Sequence, residues 1–300
     1  MSKTLSDLRA KCYDILREEE NSSAYPYSLV DDLINTAQQK ICSGLVINPL
    51  NKEEVHKGQL PFLNKEVFYK SYGVRYVSND VSMWDTEILC NTIGYPADGH
   101  LYIGGNIIKY GWKLDDRFTN CENIIRDIKG GEQISFVYEL PSDFMSPVNV
   151  VFNDKLQIFN EDYDDVFEWM RDWKGVQDYR YERYRWYGKP FYAIKDFSYL
   201  VVYNINVSWV SLRLRYESMP SPMVDANDKC VIPNDVYAMS VIPYLAVWET
   251  MYNRWEEWRW AEVINFGMGQ LREMYQFYNK TWIERMTSKN YRMGKSKFNI

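Results

Sequence analysis

Histidine is almost missing from this sequence: His56 and His100 are the only two in 300 residues. Neither falls in a motif that pairs it with a nucleophile or a metal ligand, so both are expected on the surface. Cys12, Cys42, Cys90, Cys121 and Cys230 form no CxxC pair and are odd in number, which argues against a zinc site and against a complete disulfide framework. Reduced thiols and synthesis in the cytoplasm are expected. The opening "MSKTLSDLRAK" lacks an export-type apolar region, and no apolar run reaches the roughly 20 residues of a membrane span. Phosphate-binding motifs are lacking too: "YIGGNI" has adjacent glycines but neither GxGxxG nor GxxxxGK[ST], and no helix follows. With 35 basic and 41 acidic residues the net charge is -6, so no global basic field draws nucleic acid from solution, which argues against a sequence-reading DNA binder.

What the chain does have is a core-forming share of hydrophobic residues, 46%, and a heavy aromatic load, 16%. Such aromatics concentrate at subunit or carbohydrate interfaces, because their rings bury area at small entropic cost. "TLSDLRAKCYDILREEE" predicts a helix with Thr4 as N-cap, Asp7 at N3, and Leu5, Leu8, Cys12, Ile15 and Leu16 on one face. "YSLVDDLINTAQQKICSG" predicts a second, capped by Ser28 with support from Asp31. Its stripe is Leu29, Leu33, Ala37 and Ile41, and Gly44 stops it. Joined through "NSSAYP", the two make a helical hairpin.

From about Asn48 to Pro220 the pattern is β. "HLYIGGNIIKYGWKL" predicts a hairpin turning at Gly104-Gly105. "QISFVYELPSDF", "VNVVFNDKLQIF" and "PFYAIKDFSYLVVY" read as strands separated by turns. In "VSLRLRYE" the alternation puts Leu212, Leu214 and Tyr216 on one face and Arg213 and Arg215 on the other. A long helical segment follows, capped by Asn234, kinked by Pro243 and weakened by Gly267 and Gly269, so a bent helix or two consecutive helices are expected. Its stripe of Val247, Trp248, Met251, Trp255, Trp258 and Val263 is too broad for one neighbour. Trp248, Trp255, Trp258 and Trp260 are the subunit-interface candidates. The last stretch, "TSKNYRMGKSKFNI", turns basic and loses periodicity, which predicts a flexible or partner-bound terminus.

The fold class predicted is therefore α+β, a helical bundle from the N-terminal hairpin and the long C-terminal helices with a central antiparallel β region inserted. Its helical domain is 1–47 with 221–280, its β-rich domain 48–220, and its basic tail 281–300. Between strand and long helix lies "YESMPSPMVDANDKCVIPND". A calcium loop there fails at Lys229, a cation where the alternation from Asp225 and Asn227 needs an oxygen ligand. The segment reads instead as a connection, with Pro220, Pro222 and Pro233 ending the strand. "EDYDDVFEWMRDWKG" could supply carboxylates and, through Trp169 and Trp173, sugar platforms, making a tail-associated carbohydrate-binding or carbohydrate-active protein the alternative reading. "QDYRYERYRWYGK" interleaves Arg and Tyr like a single-strand stacking surface, but in an acidic chain an intersubunit or sheet surface is favoured. No catalytic constellation is complete, so the chain is read as no enzyme, with no cofactor or metal.

The order of these segments resembles the head-to-tail connector, or neck adaptor, proteins of tailed bacteriophages. "TLSDLRAKCYDILREEE" with "YSLVDDLINTAQQKI" is similar to that family's opening helical pair. "YELPSDFMSPVNVVFNDKLQI" matches its Leu-Pro-x-Asp-Phe turn before a short hairpin, and "GKPFYAIKDFSYLVVY" its Gly-x-Pro-x-Tyr-Ala-Ile segment. "LRLRYESMPSPMVDANDKCVIPNDVYAMSVIPYLAVWETMY" resembles its strand, loop and long-helix ending. The insertion from about Asn51 to Gly130 is longer than a compact adaptor needs, though "LYIGGNIIKYGWKLDDRFTNCENIIRD" is similar to a β element of other phage neck and tail proteins. The resemblance implies a structural virion protein of the neck, made in the host cytoplasm, forming a homo-oligomeric ring of about twelve copies. It implies contact with the portal protein and with tail or other neck proteins, no membrane, and passage of double-stranded DNA without sequence recognition. Tyr291, Arg292, Lys295, Lys297 and Phe298 become the portal-contact candidates.

Overall fold

The structure, a computed structural model, describes residues 2–44, 46–48, 50, 52, 54–55, 60–72, 75–152, 156–160, 191–203, 208–252 and 257–295. The fold is α+β, with N-terminal helices, central antiparallel β sheets and C-terminal helices that pack with the N-terminal ones. Two compact units result: Met1–Asn64 with Glu217–Ile300, and Lys65–Tyr216.

In the first unit, helix α1 (Leu5–Leu16) begins at a complete capping box. The Asp7 N–H donates to Thr4 Oγ1 at 3.3 Å, and the Thr4 N–H to Asp7 Oδ2 at 3.1 Å. The expected face, Leu5, Leu8, Cys12, Ile15 and Leu16, is buried, joined by Tyr13. Helix α2 (Tyr27–Ser43) departs from expectation in two ways. Pro26, with φ -67°, occupies the cap and offers no side-chain bond, so Ser28 lies inside the first turn. Asp31 is engaged elsewhere: Arg9 of α1 grips both its oxygens, the Nη2–Oδ2 arm at 2.6 Å, with the guanidinium over the Tyr27 ring. The buried row is Val30, Ile34, Ala37 and Ile41, while Leu29 is 38% exposed. Helix α2 carries two adjacent apolar rows, and the one abutting α1 and the C-terminal helices becomes core.

Those helices are α3 (Asp235–Tyr252) and α4 (Glu257–Lys295). Asn234 caps α3, its Oδ1 accepting from the Val236 and Tyr237 N–H groups at 2.9 and 3.3 Å. Pro243 lies inside α3. Apolar nearly all round, α3 packs against α1, α2 and α4, which is why its hydrophobic stripe is broad. Gly267 permits the close α3–α4 approach, since a Cβ there would sit 3.0 Å from Tyr244 Cβ. Strands β1 (Val46–Ile47) and β2 (Glu54–Val55) form a small antiparallel pair in the same unit.

The second unit is one sheet built from β3 (Asn64–Tyr72), β4 (Arg75–Tyr76), β5 (Glu87–Leu89), β6 (Gly99–Ile103), β7 (Asn106–Leu114), β8 (Arg117–Glu122), β9 (Gln133–Glu139), β10 (Phe144–Phe152), β11 (Leu156–Asn160), β12 (Phe191–Lys195), β13 (Tyr199–Tyr203) and β14 (Ser208–Ser218). Its order is β3-β14-β10-β11-β12-β13-β9-β6-β7-β8-β5, with β4 added against β9. The pairing of β11 with β12 is parallel. The β6–β7 hairpin turns at Gly104-Gly105, both with positive φ (52° and 93°), as a type I′ turn demands. Arg126 covers it, donating from Nε to Gly104 O at 2.9 Å while holding Glu132 at 2.6 Å; a Cβ on Gly104 would collide with that guanidinium. Leu212, Leu214 and Tyr216 are buried as the alternation predicts, and Arg213 and Arg215 reach Glu66.

Candidate functional site

The proline-punctuated segment between β14 and α3 does more than connect them. Helix α1 exposes N–H groups at its start that have no partner within the helix. Leu5 donates to Asp228 O at 2.8 Å and Ser6 to Ala226 O at 3.0 Å, so the loop caps the helix from outside while Thr4 caps it from within. The Cys230 N–H donates to Lys3 O at 2.9 Å. From the other side, helix α2 holds the loop with two amides. Asn35 accepts from the Met223 N–H at 2.8 Å and donates to Met223 O at 2.9 Å, and Gln38 Oε1 accepts from the Val231 N–H at 3.0 Å. Among the described residues no group of three or more His, Cys, Asp or Glu side chains is placed to hold a metal ion.

Asp228 ties the tip of this loop, its Oδ2 accepting from the Val224 and Asp225 N–H groups at 2.8 and 2.9 Å. Those bonds favour the charged form and hold the carboxyl below its ordinary value of 3.8. A carboxyl lowered on folding stabilises the fold above its ordinary value, and that contribution fades as pH falls through the lowered folded value. Amide protection at Val224 and Asp225 is therefore expected to be full near neutrality and to fall selectively below about pH 4. Asp228→Ala is expected to show the same loss at neutral pH; protection unchanged in the variant refutes it.

On the other side of α2 lies an open apolar groove of about 280 Å³, walled by Leu33 and Ala37 of α2, Val46 of β1, Leu245 and Trp248 of α3, and Ile264 of α4. Lys40 is its charged lining residue among those described. Trp248, half-buried, faces it, and Trp260 sits behind with ring centroids 6.3 Å apart and only 8% exposure. The Trp255 and Trp258 side chains lie outside the description, as do Lys297 and Phe298. Tyr291, Arg292 and Lys295 fall in the last turns of α4. The helix thus runs past Thr281, where an irregular tail was expected: no proline interrupts 281–295, and glycine enters only at Gly294. The acidic run and the Arg/Tyr run, with Trp169 and Trp173, lie outside the described residues.

His100 is not the surface residue expected. Its ring is 13% exposed, 3.3 Å from Glu139 and packed on Tyr199, and burial lowers its pKa. The acidic recess at Asp80, Asp85 and Glu87 is locked internally, by Lys129, by the Ser82 N–H and by Arg117. Two tryptophans not singled out in the sequence, Trp84 and Trp112, are 82% and 63% exposed in the β unit. Strand alternation does not signal Trp112: it groups the residue with Ile108 and Tyr110, which are buried, whereas Trp112 and Leu114 at the end of β7 are exposed. Among the described residues no helix is long and apolar enough to cross a membrane. No protein-family model matches the chain, and no curated protein matches it.

Proposed function

We propose that this chain is a structural virion protein, a head-to-tail connector adaptor that forms a ring between portal and tail and lines the DNA channel. The observation that carries the reading is the organisation of the chain: the helical hairpin and the long C-terminal helices share one unit, the β region is inserted between them in sequence, and within the helical unit the proline loop is held against α1 and α2. That is the order of segments in which the sequence resembles neck adaptors. The groove beside Trp248 supports self-association, and the exposed Trp84 and Trp112 of the β unit support contact with tail or other neck proteins. A net charge of -6 suits a conduit in which double-stranded DNA slides without being held by many phosphate contacts. The end of α4 and the basic terminus, through Tyr291, Arg292, Lys295, Lys297 and Phe298, dock on the portal.

Negative-stain imaging of the purified protein mixed with its portal tests this. Rings stacked coaxially on the portal are the expected outcome. Portals that stay bare over a wide range of protein concentrations overturn it. Truncation before Thr281 is expected to abolish stacking, and unimpaired stacking removes the C-terminal contact.

A further inference from the structure

We infer that copies of this chain join head to tail by seating the Val224–Asp225 tip of one copy in the groove beside Trp248 of the next. The inference rests on the ring reading and names the contact that builds the ring.

The tip is both exposed and fixed. Val224 is 76% exposed, while the buried Met223 side chain anchors the chain just before it. Both backbone groups of Met223 are held by Asn35, the Val224 and Asp225 N–H groups by the Asp228 carboxylate, and Ala226 O by Ser6. A single exposed valine needs no explanation. One presented on a backbone pinned on both sides is preorganised, because docking it orders few additional bonds.

The groove matches it in chemistry and size. Its walls are apolar, its charged lining residue is Lys40, and the tip offers an aliphatic side chain followed by the Asp225 carboxylate. At about 280 Å³ it is far larger than the roughly 10–15 Å³ that a single water needs, which leaves room for an aliphatic side chain.

Placement excludes a copy from filling its own groove. On α2, Leu33, Ala37 and Lys40 face the groove, whereas Asn35 and Gln38 face the loop. At about 100° per residue the two sets centre roughly 180° apart around the helix, with buried Val30, Ile34 and Ile41 between them. Two different, complementary surfaces on opposite sides of one helix define a heterologous contact, which propagates and closes into a ring when the rotation permits.

Cross-linking of the full-length chain tests the contact, since all five native cysteines are buried and free. Val224→Cys and Thr36→Cys, the latter placed in the groove lining, are prepared singly and together. Under mild oxidation a mixture of the two single variants is expected to give one covalent dimer, and the double variant a ladder of larger species. Asp225→Lys and Lys40→Glu are each expected to weaken assembly at least tenfold by light scattering, with the helical circular dichroism signal retained, and the combined reversal to restore it. If wild type assembles but the mixture does not cross-link and Asp225→Lys assembles normally, this contact is wrong and the ring stands. Protein that stays monomeric with and without portal removes the ring and the contact together.

Discussion

Phe118→Ala is expected to destabilise the β unit by about 3–5 kcal/mol, the range for deleting a fully buried aromatic ring. Phe118 is wholly buried at the centre of a tyrosine cluster. Its ring packs on Tyr110 at 4.5 Å and edge-on to Tyr95 at 5.2 Å, and Tyr95 stacks on Tyr72. Across the sheet its backbone partners are Ile88 and Lys113, so strands β5, β7 and β8 meet at this residue. The cavity collapses only in part, because the neighbouring Tyr110 is tethered, its hydroxyl donating to Pro96 O at 3.3 Å. Burial raises the Tyr95 and Tyr110 phenols well above their ordinary pKa, and water entering the cavity is expected to bring them back down. Denaturant unfolding with absorbance titration of the tyrosines measures both effects. Phe118→Leu is expected to cost less than half as much, and a loss under about 1 kcal/mol for alanine refutes the assignment of this core.

What the sequence disclosed follows from the range of the interactions involved. The capping box at Thr4, the Asn234 cap, the Gly104-Gly105 turn and the Leu212–Tyr216 alternation are fixed by residues within a few positions of one another. Where two local solutions compete, distant partners decide. Helix α2 could present Leu29 and Leu33 or Val30 and Ile34, and packing against α1 and α3 selects the second pair. The placement of β14 between β3 and β10, and the parallel match of Phe159 with Phe191, depend on long-range pairing that no local pattern encodes.

The candidate site divides along the same line. Its prolines mark the loop as the end of a strand and the approach to a helix, and Lys229 argues against calcium. Its partners were hidden, because Asn35 and Met223 are 188 positions apart and Gln38 and Val231 are 193. One signal was available: Gln38, 1% exposed, lies beside the apolar row of Ile34, Ala37 and Ile41, where an amide belongs only if something satisfies it.

Asn35→Leu is expected to release the loop. The amide pairs with both backbone groups of Met223 at once, as a neighbouring strand does, and leucine keeps the bulk while removing both bonds. Two half-buried backbone groups then lack partners, at a cost of about 2–4 kcal/mol for the helical unit. Asn35→Asp separates the two bonds, since a carboxylate still accepts from the Met223 N–H but sets an oxygen against Met223 O. Protonation restores a donor, so the folded state favours the neutral form and the introduced carboxyl has a raised pKa. The sign is opposite to that of Asp228: the deficit of Asn35→Asp relative to wild type is greatest near neutrality and shrinks as pH falls through the raised value. Unfolding measured against pH gives the stabilities, and hydrogen exchange at Leu5, Ser6 and Met223 locates the damage. Because the same loop carries the α1 cap and the Val224 tip, Asn35→Leu is expected to lose protection at Leu5 and Ser6 and to lose assembly together. Wild-type protection at those amides in a fully stable Asn35→Leu protein breaks the link between the amide clamp and the loop.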